Sequence, residues 1–583
     1  MRNIRNIIML SASAFVLSVA STSCDSLFDD APMNVISDEG TWTNGQLLDE
    51  YVNSWYHGMS DGFSTYVPNT ALLKSISRYY LPWFGDQLTV GKTDYFNAGY
   101  GDILKGNEET ITNWASGIWS NCYAQIQYIN TFLANEGKVP DAAQRTRVDG
   151  EAHFFRAYYY YMLWRRFGGV LLIDRPYDPL HEDVRFPRAS YQEMVNFIVR
   201  EADAAAAELP VSYEQANVGR VTKGAALMLK AKAYLWASSE VFQNKDKEWL
   251  GFVDDQSRAM LDKAKAAYDE LFALNAYSLV PISATTQDGI RDAYRQVFIT
   301  KNSQESILEV QHSDDGDYAN KFGHKLDRDA AAPYFTGTTA AYTPTQNHVD
   351  EYGMRDSAIY DAANPYANRD YRFYANILFN GCTWRNHVMD MATTDGDKGV
   401  DITPYGTSTT AAYSRTGYYM GKFVDEAQAI DDNDTYASKQ NYIIWRYAEA
   451  LLDYAEIAWR LGDASTALAM VNRVRSRVHM NNHEAVTWEL IRNERRVELA
   501  FEETTYWDHF RYGEAVQKLS GSTNPLKAVA ITVKNGETTY KTSNLNRFPG
   551  RVRVFQEREY YLPIPLSEVQ FQGIEQNPDW NQL

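Results

Sequence analysis

Helical periodicity in this chain is confined to two blocks separated by a long stretch that has none, and this alternation limits the folds open to it. In the first block, residues 116–273, the spacing predicts helices over 116–135, 141–167, 190–208, 222–238 and 257–273. Within 222–238, Ala225, Leu229, Ala233 and Trp236 recur at i, i+4, i+8 and i+11, on one helix face. The second block is 440–519. There Ile444, Ala448, Leu451, Ala455 and Ala458 mark one stripe, Gly462-Asp463 breaks it, and Leu468, Val471 and Val474 resume it.

A helix, a glycine turn and a second helix, with small residues where the helices meet, make a tetratricopeptide-like (TPR-like) pair. The pair 222–238 and 257–273 has the same layout. The period is irregular, so TPR-like stacking is expected and a regular array is not. Residues 38–115 and 274–439 are instead rich in Gly, Thr, Asp, Asn, Tyr and Pro, with short apolar runs such as Ile307-Leu308-Glu309-Val310. Residues 520–583 read as short strands and turns that close the fold. The expected fold class is mainly α, a scaffold of TPR-like helix pairs carrying a large loop-rich region with few short strands. Loop regions this long usually serve function, so 38–115 and 274–439 are the expected ligand surface.

The N-terminus reads as an export signal over 1–23. Arg2 and Arg5 are followed by an apolar, small-residue run at 7–20, then Ser21-Thr22-Ser23 and Cys24. The run is too short for a membrane-spanning helix. A Cys at this boundary fits lipid attachment to Cys24, leaving 24–583 as one mature domain tethered to a membrane. Leu is absent at the third position before Cys24, so an ordinary secretory signal with a coincidental Cys is the alternative. No later segment approaches twenty continuous apolar residues. The net charge of −19 argues against a nucleic-acid partner, whose phosphates it would repel. Two further cysteines, Cys122 and Cys382, make no disulfide framework and are expected to be free thiols.

Catalytic and metal motifs are weak. Glu494, Glu498, Glu502 and Asp508 share 491–511 with four arginines. Paired carboxylates perform glycosidase chemistry, but Glu494, Glu498 and Glu502 are four residues apart and serve salt bridges along a helix face better. The stripe Phe154, Phe155, Tyr158–Tyr161 and Trp164 has helical spacing and reads as core. No cofactor is expected. Asp314-Asp315-Gly316-Asp317 and Asp431-Asp432-Asn433-Asp434 can supply oxygen ligands to a structural calcium, but neither has EF-hand spacing, and solvated loops are the better reading.

Several stretches then coincide in order: Trp119, Tyr123, Ile126 and Asn130; Gly150-Glu151-Ala152-His153-Phe154-Phe155-Arg156-Ala157-Tyr158-Tyr159; Gly219 to Ala226; Ile491 to Glu502 with Trp507-Asp508 and Arg511-Tyr512; Leu562-Pro563-Ile564-Pro565; and Gln576-Asn577-Pro578. With the lipoprotein Cys, this closely resembles the SusD/RagB family of outer-membrane nutrient-binding lipoproteins, over nearly the whole mature chain. Asp579-Trp580 departs from the Gly-Tyr common there. Asp25, Asp29 and Asp30 resemble the acidic tract that sends lipoproteins of the Bacteroidetes to the outer face of the outer membrane. The resemblance implies four TPR-like units, a variable loop surface that binds an oligo- or polysaccharide, no catalysis, and a SusC-like TonB-dependent transporter over which the protein forms a lid. In some branches the ligand is a peptide.

Sugars require a flat aromatic face and fixed polar groups, here expected on loops. The run Arg78-Tyr79-Tyr80-Leu81-Pro82-Trp83-Phe84-Gly85-Asp86 supplies Tyr80, Trp83 and Asp86. Related proteins commonly use a Trp from this early region, which makes Trp83 the first choice. The span 334–419 supplies Tyr334, Tyr342, Trp384 and Tyr405, with Asn347, Arg369 and Arg385 as polar contacts. A peptide-capturing protein and a surface glycoside hydrolase using Asp86 and Glu351 are the alternatives.

Overall fold

The computed structural model describes residues 39–59, 62–63, 80–92, 99–178, 181–182, 184–313, 323–335, 340–404, 411–430, 437–545 and 553–580. The export signal, Cys24, the acidic tract after it, Arg78, Tyr79, both acidic loops and Tyr405 lie outside the described residues.

The helices used below are α1 (Gly45–Tyr56), α2 (Glu108–Leu133), α3 (Ala142–Phe167), α4 (Tyr191–Glu208), α5 (Lys223–Ala237), α6 (Ser257–Ala273), α7 (Gln287–Ile299), α8 (Tyr447–Arg460), α9 (Ala464–Arg477), α10 (Trp488–Glu498) and α11 (Thr504–Arg511). Short polar side chains set their starts by taking amides that a first turn leaves free. Asp141 accepts from the Gln144 amide at 2.7 Å and Asp463 from that of Thr466 at 3.0 Å. Ser190 and Glu193 form a reciprocal capping box at α4. Asn107 caps the Thr110 amide at 2.9 Å, which starts α2 ahead of the expected 116. Gly168 ends α3 at φ 72°, a conformation that disfavours residues with a Cβ.

α2 to α6 pack each on the next, α6 packs on α8, and α8 packs on α9 and α10. The second helical block therefore continues the stack of the first. α3 is the central member. Phe154, Phe155, Tyr158–Tyr161 and Trp164 are all buried, and the Tyr160 hydroxyl donates to the Ile173 carbonyl at 3.0 Å. This stripe is core. In the stretch expected to be loop, α7 forms a further helix, capped by Thr286, with Ile290, Tyr294, Val297 and Phe298 buried on one face.

The strands used below are β1 (Leu88–Thr89), β2 (Ser306–Val310), β3 (Thr343–Pro344), β4 (Thr383–Trp384), β5 (His387–Val388), β6 (Ala392–Thr394), β7 (Asp397–Lys398), β8 (Tyr442–Arg446), β9 (Lys527–Lys534) and β10 (Glu537–Asn544), all short except the eight-residue β9 and β10. β2 and β8 pair antiparallel, Tyr442 opposite Val310, so the chain between them leaves the scaffold and returns at one place. That excursion is tied down twice more. β3 pairs with β1 from the early loop, and β6 runs parallel to β9 in the sheet β10-β9-β6-β7.

The carboxylates of 491–511 are structural, though not by the arrangement the spacing implied. α10 ends at Glu498, and Glu502 lies beyond it. Their arginine partners come from distant segments. Arg372 meets Glu498 at 3.0 Å and also binds Glu494 and Asp370. Arg446 meets Glu305 at 2.7 Å, Glu498 at 2.8 Å and Glu502 at 2.7 Å. Arg477 binds Glu305 and Glu498, and Lys422 meets Glu502 at 2.6 Å. Burial pushes the Glu498 carboxyl up, but Arg477, Arg446 and Arg372 outweigh it and hold the group well below the usual carboxylate range. This lattice bolts the excursion (Arg372, Lys422) to the scaffold. Removing one partner strands a buried charge, at a cost of about 3–5 kcal/mol.

Candidate functional site

Three of the aromatic residues expected on the ligand surface do meet, but they face inward. Trp83 sits in a one-turn 3₁₀ segment, Leu81–Trp83, with Pro82 fixing its entry. Its ring centroid lies 5.4 Å from that of Tyr342 and 5.9 Å from that of Tyr80, and Tyr80 and Tyr342 are 5.5 Å apart. Trp83 is 3 % exposed, Tyr80 2 % and Tyr342 1 %. The cluster joins the early loop to the excursion, and Tyr100 closes it from the other side, 5.5 Å from Trp83. With every ring covered by protein, no face is free for a sugar. The expectation of a platform here is corrected to a core.

The polar candidates beside it are also spent on structure. Asp86 pairs with Arg496 at 3.0 Å and accepts from Asn524 at 3.0 Å. Burial raises its carboxyl, but Arg496, His509 and Asn524 outweigh that and hold it far below the usual range. Glu351 meets the same Arg496 at 3.1 Å. Asp86 and Glu351 thus straddle one guanidinium and do not face each other across an open cleft, as a glycosidase pair would. Asn347 donates to the Pro525 carbonyl at 3.1 Å and accepts from the Lys527 amide at 2.7 Å. Arg369, buried, reaches the Val349 carbonyl at 2.5 Å. Trp384 is buried, with the guanidinium carbons of Arg295 and Arg385 at 4.7 and 5.6 Å from its ring centroid.

Tyr334 differs from all of these. The residue is 54 % exposed, and its ring lies flat on His387, centroids 3.7 Å apart and planes within 6°. Phe335 stands edge-on to both rings, 5.1 Å from Tyr334 and 5.7 Å from His387. One face of Tyr334 is therefore seated and the other open. The hairpin β4–β5 positions His387. Its two-residue connection, Arg385 and Asn386, has φ of 49° and 60°, the left-handed pair that a tight hairpin needs. His387 Nε2 is 2.8 Å from Asp401 Oδ2, and Asp401 is fully buried and also accepts from the Asp390 amide at 2.7 Å. Burial pushes the Asp401 carboxyl up, offset by the Asp390 amide and His387. Arg385, from the expected polar set, donates to the Asp425 carbonyl at 2.6 Å and braces the same turn. Val388 is exposed beside it. The result is a flat, pre-set aromatic face on a rigid support.

Sequence reasoning named Tyr334 and Trp384 but missed His387, which stands opposite Trp384 in the hairpin and stacks on Tyr334. No local pattern marks a histidine that stacks on a tyrosine 53 residues earlier in the chain. Among the described residues no group of three or more His, Cys, Asp or Glu side chains is placed to hold a metal ion, and no helix is long and apolar enough to cross a membrane. Cys122 and Cys382 are free. Burial raises their thiols to about 12 and about 11.

Comparison with known proteins places this geometry in a family. One family model, described as the SusD family, matches residues 304–580, and another, described as starch-binding associating with outer membrane, matches 77–235. SusD-like protein P2 of Formosa agariphila is 23% identical over 577 residues, 95% of this chain and 96% of that protein. A SusD-like protein of Bacteroides ovatus is 26% identical over 420 residues, 68% of this chain and 66% of that one. Among solved structures, a SusD-like protein from Bacteroides fragilis superposes with a TM-score of 0.72 at 25% identity, covering 94% of this chain and 100% of its own. A laminarin-binding SusD-like protein superposes with a TM-score of 0.64 at 20% identity, covering 92% and 100%.

Proposed function

This chain belongs to the SusD/RagB family, and from that premise we propose that it is a cell-surface glycan-binding lipoprotein that captures an oligo- or polysaccharide on the face centred at Tyr334. It is not an enzyme. Lipid on Cys24 holds it to the outer face of the outer membrane, and it serves as the extracellular lid of a SusC-like TonB-dependent transporter that receives the glycan. The observation that carries the reading is the half-exposed Tyr334 ring seated on His387. A sugar's C–H surface gains most from an aromatic face that pays no ordering cost on contact, and the stack on His387 removes that cost beforehand. Support also comes from similar proteins of known structure: one is a laminarin-binding SusD-like protein, and another, surface glycan-binding protein A from Bacteroides thetaiotaomicron, is in complex with laminarihexaose.

The test is a binding screen of the soluble protein, starting after Cys24, against a polysaccharide panel. Saturable binding to one glycan class without release of reducing ends is expected. Release of reducing ends from the bound glycan would overturn the non-catalytic reading. In cells, a Cys24→Ala form should bind the glycan normally yet fail to support uptake.

A further inference from the structure

The scaffold contains a second feature that the Tyr334 surface does not use. A cleft of about 80 Å³ opens between α3, α5, α8, α11 and β8. At the ~15 Å³ that one water needs, it has room for several waters or a small ligand group. Most charges on its wall are committed to each other. Lys232 holds Glu449 and Asp453, Arg495 holds Asp453 and Asp508, Arg511 holds Asp508 and Glu456, and Glu502 is taken by Arg446 and Lys422.

Arg165 and Arg166 stand outside this lattice. Neither is in an ion pair, within 4.0 Å, with any carboxylate of the described residues. Arg166 is 8 % exposed, and its one hydrogen bond runs from Nη1 to the Met162 carbonyl at 3.1 Å. Burial and the like charge of Arg165 pull its guanidinium down to about 10, and the more distant Glu503 offsets them only in part. Arg165 Nε is buried without an acceptor. Each guanidinium carries five N–H donors, so most of this pair's are unspent. The two are oriented by stacking. The guanidinium carbon of Arg165 is 4.4 Å from the Trp507 ring centroid and 4.3 Å from that of Tyr161, and that of Arg166 is 4.7 Å from Trp507. Arg165 is thus held against two rings and Arg166 against one, and their hydrogen-bonding edges remain for another group. Glu503 is the acid on this wall outside the lattice. It lies beyond ion-pair distance of both arginines; burial raises its carboxyl to about 7, against the charges of Arg166 and Arg165 and hydrogen bonds from the Leu81 amide and the Tyr442 hydroxyl.

We propose that this cleft is an oxyanion site, in which Arg165 and Arg166, clamped on Trp507, hold a carboxylate, sulfate or phosphate group of a small ligand. Planar guanidinium edges match such groups in geometry and charge. The organic part of the ligand would lie against the aromatic wall formed by Trp236 and Trp445. The site is independent of the glycan face at Tyr334 and stands or falls without it.

Calorimetric titration of the mature protein at pH 7 with acetate, sulfate, inorganic phosphate and glucuronate, against sodium chloride at matched ionic strength, tests this directly. Saturable binding of at least one anion is expected. Arg165→Gln should weaken it roughly tenfold or more, the loss expected for a charge-assisted contact. Glu503→Gln, which removes the competing acid and leaves both arginines, should strengthen it and keeps the proposal testable if the arginine variant fails to fold. Tyr334→Ala should leave it unchanged. A preference for glucuronate over acetate marks a sugar acid as the source, and equal affinity marks a free small anion. No binding beyond chloride by any of the four, or equal affinity in the parent protein and Arg165→Gln, would overturn the proposal.

Discussion

Two aromatic clusters in this molecule are built from the same kinds of residue in the same kinds of segment, and they end up doing opposite things. Tyr80, Trp83 and Tyr342 come from the early loop and the excursion, as a ligand platform would, yet all three are buried. Tyr334 comes from the same excursion and is half open. What separates them is the second layer. Behind Trp83 stands Tyr100, and beside the cluster Asp86 is pinned to Arg496 of the scaffold, so the loop is pulled down onto the helices. Behind Tyr334 stands His387, on a hairpin whose own anchor is the buried Asp401, and nothing in the described chain covers the outer face. An aromatic residue on a loop is a platform only when its support lies on one side.

The comparison breaks first on its inward side, and the largest effect is expected from acid. Glu498, Asp508 and Asp86 sit below their unfolded values because arginines outweigh burial. Their contribution is therefore complete above about pH 4.5 and is lost as pH falls through the folded values. Glu503 and Glu559, both raised to about 7 by burial, act with the opposite sign. Each favours the folded state below about pH 4.5, and that gain is lost as pH rises toward 7. Thermal unfolding from pH 3 to 8 should show a maximum near about pH 5 and a steep fall below it. A flat profile down to pH 3 would contradict the role given to the buried pairs.

Next in size is Trp83→Ala. Deleting a buried indole should cost about 3–5 kcal/mol, read as a lower urea midpoint, with glycan affinity preserved in the fraction that remains folded. Normal stability with lost binding would show the cluster to be a platform after all. His387→Ala should have a smaller effect. Tyr334 keeps its face but loses its support, so binding should weaken by a few-fold, less than for removal of Tyr334 itself. Equal loss in the two variants would mean that His387 contacts the ligand directly.

How much of this could be read beforehand depended on how local the cause was. α3 was legible from end to end, because Asp141 caps it, Gly168 stops it and its aromatic spacing is helical. α7 was missed inside a loop-rich stretch, although Thr286 and the spacing Ile290, Tyr294, Val297, Phe298 mark it. The structural role of Glu494, Glu498 and Glu502 was legible. Their partners were not, because Arg372, Arg446 and Arg477 reach them across the fold and not along one helix face. For the site, Tyr334 was named without any sign that it would differ from Trp83. Composition and turn residues tell which segments are loops. They carry no information on what packs behind a ring, and that alone decides between core and platform.

The central claim is that the outer face of Tyr334 receives the glycan. It is tested most directly by titrating the mature protein and its Tyr334→Ala variant with the glycan found in the panel, with unfolding measured on the same samples. The account predicts affinity lower by roughly tenfold and stability within about 0.5 kcal/mol of the parent. Undiminished affinity in a folded Tyr334→Ala protein would contradict it.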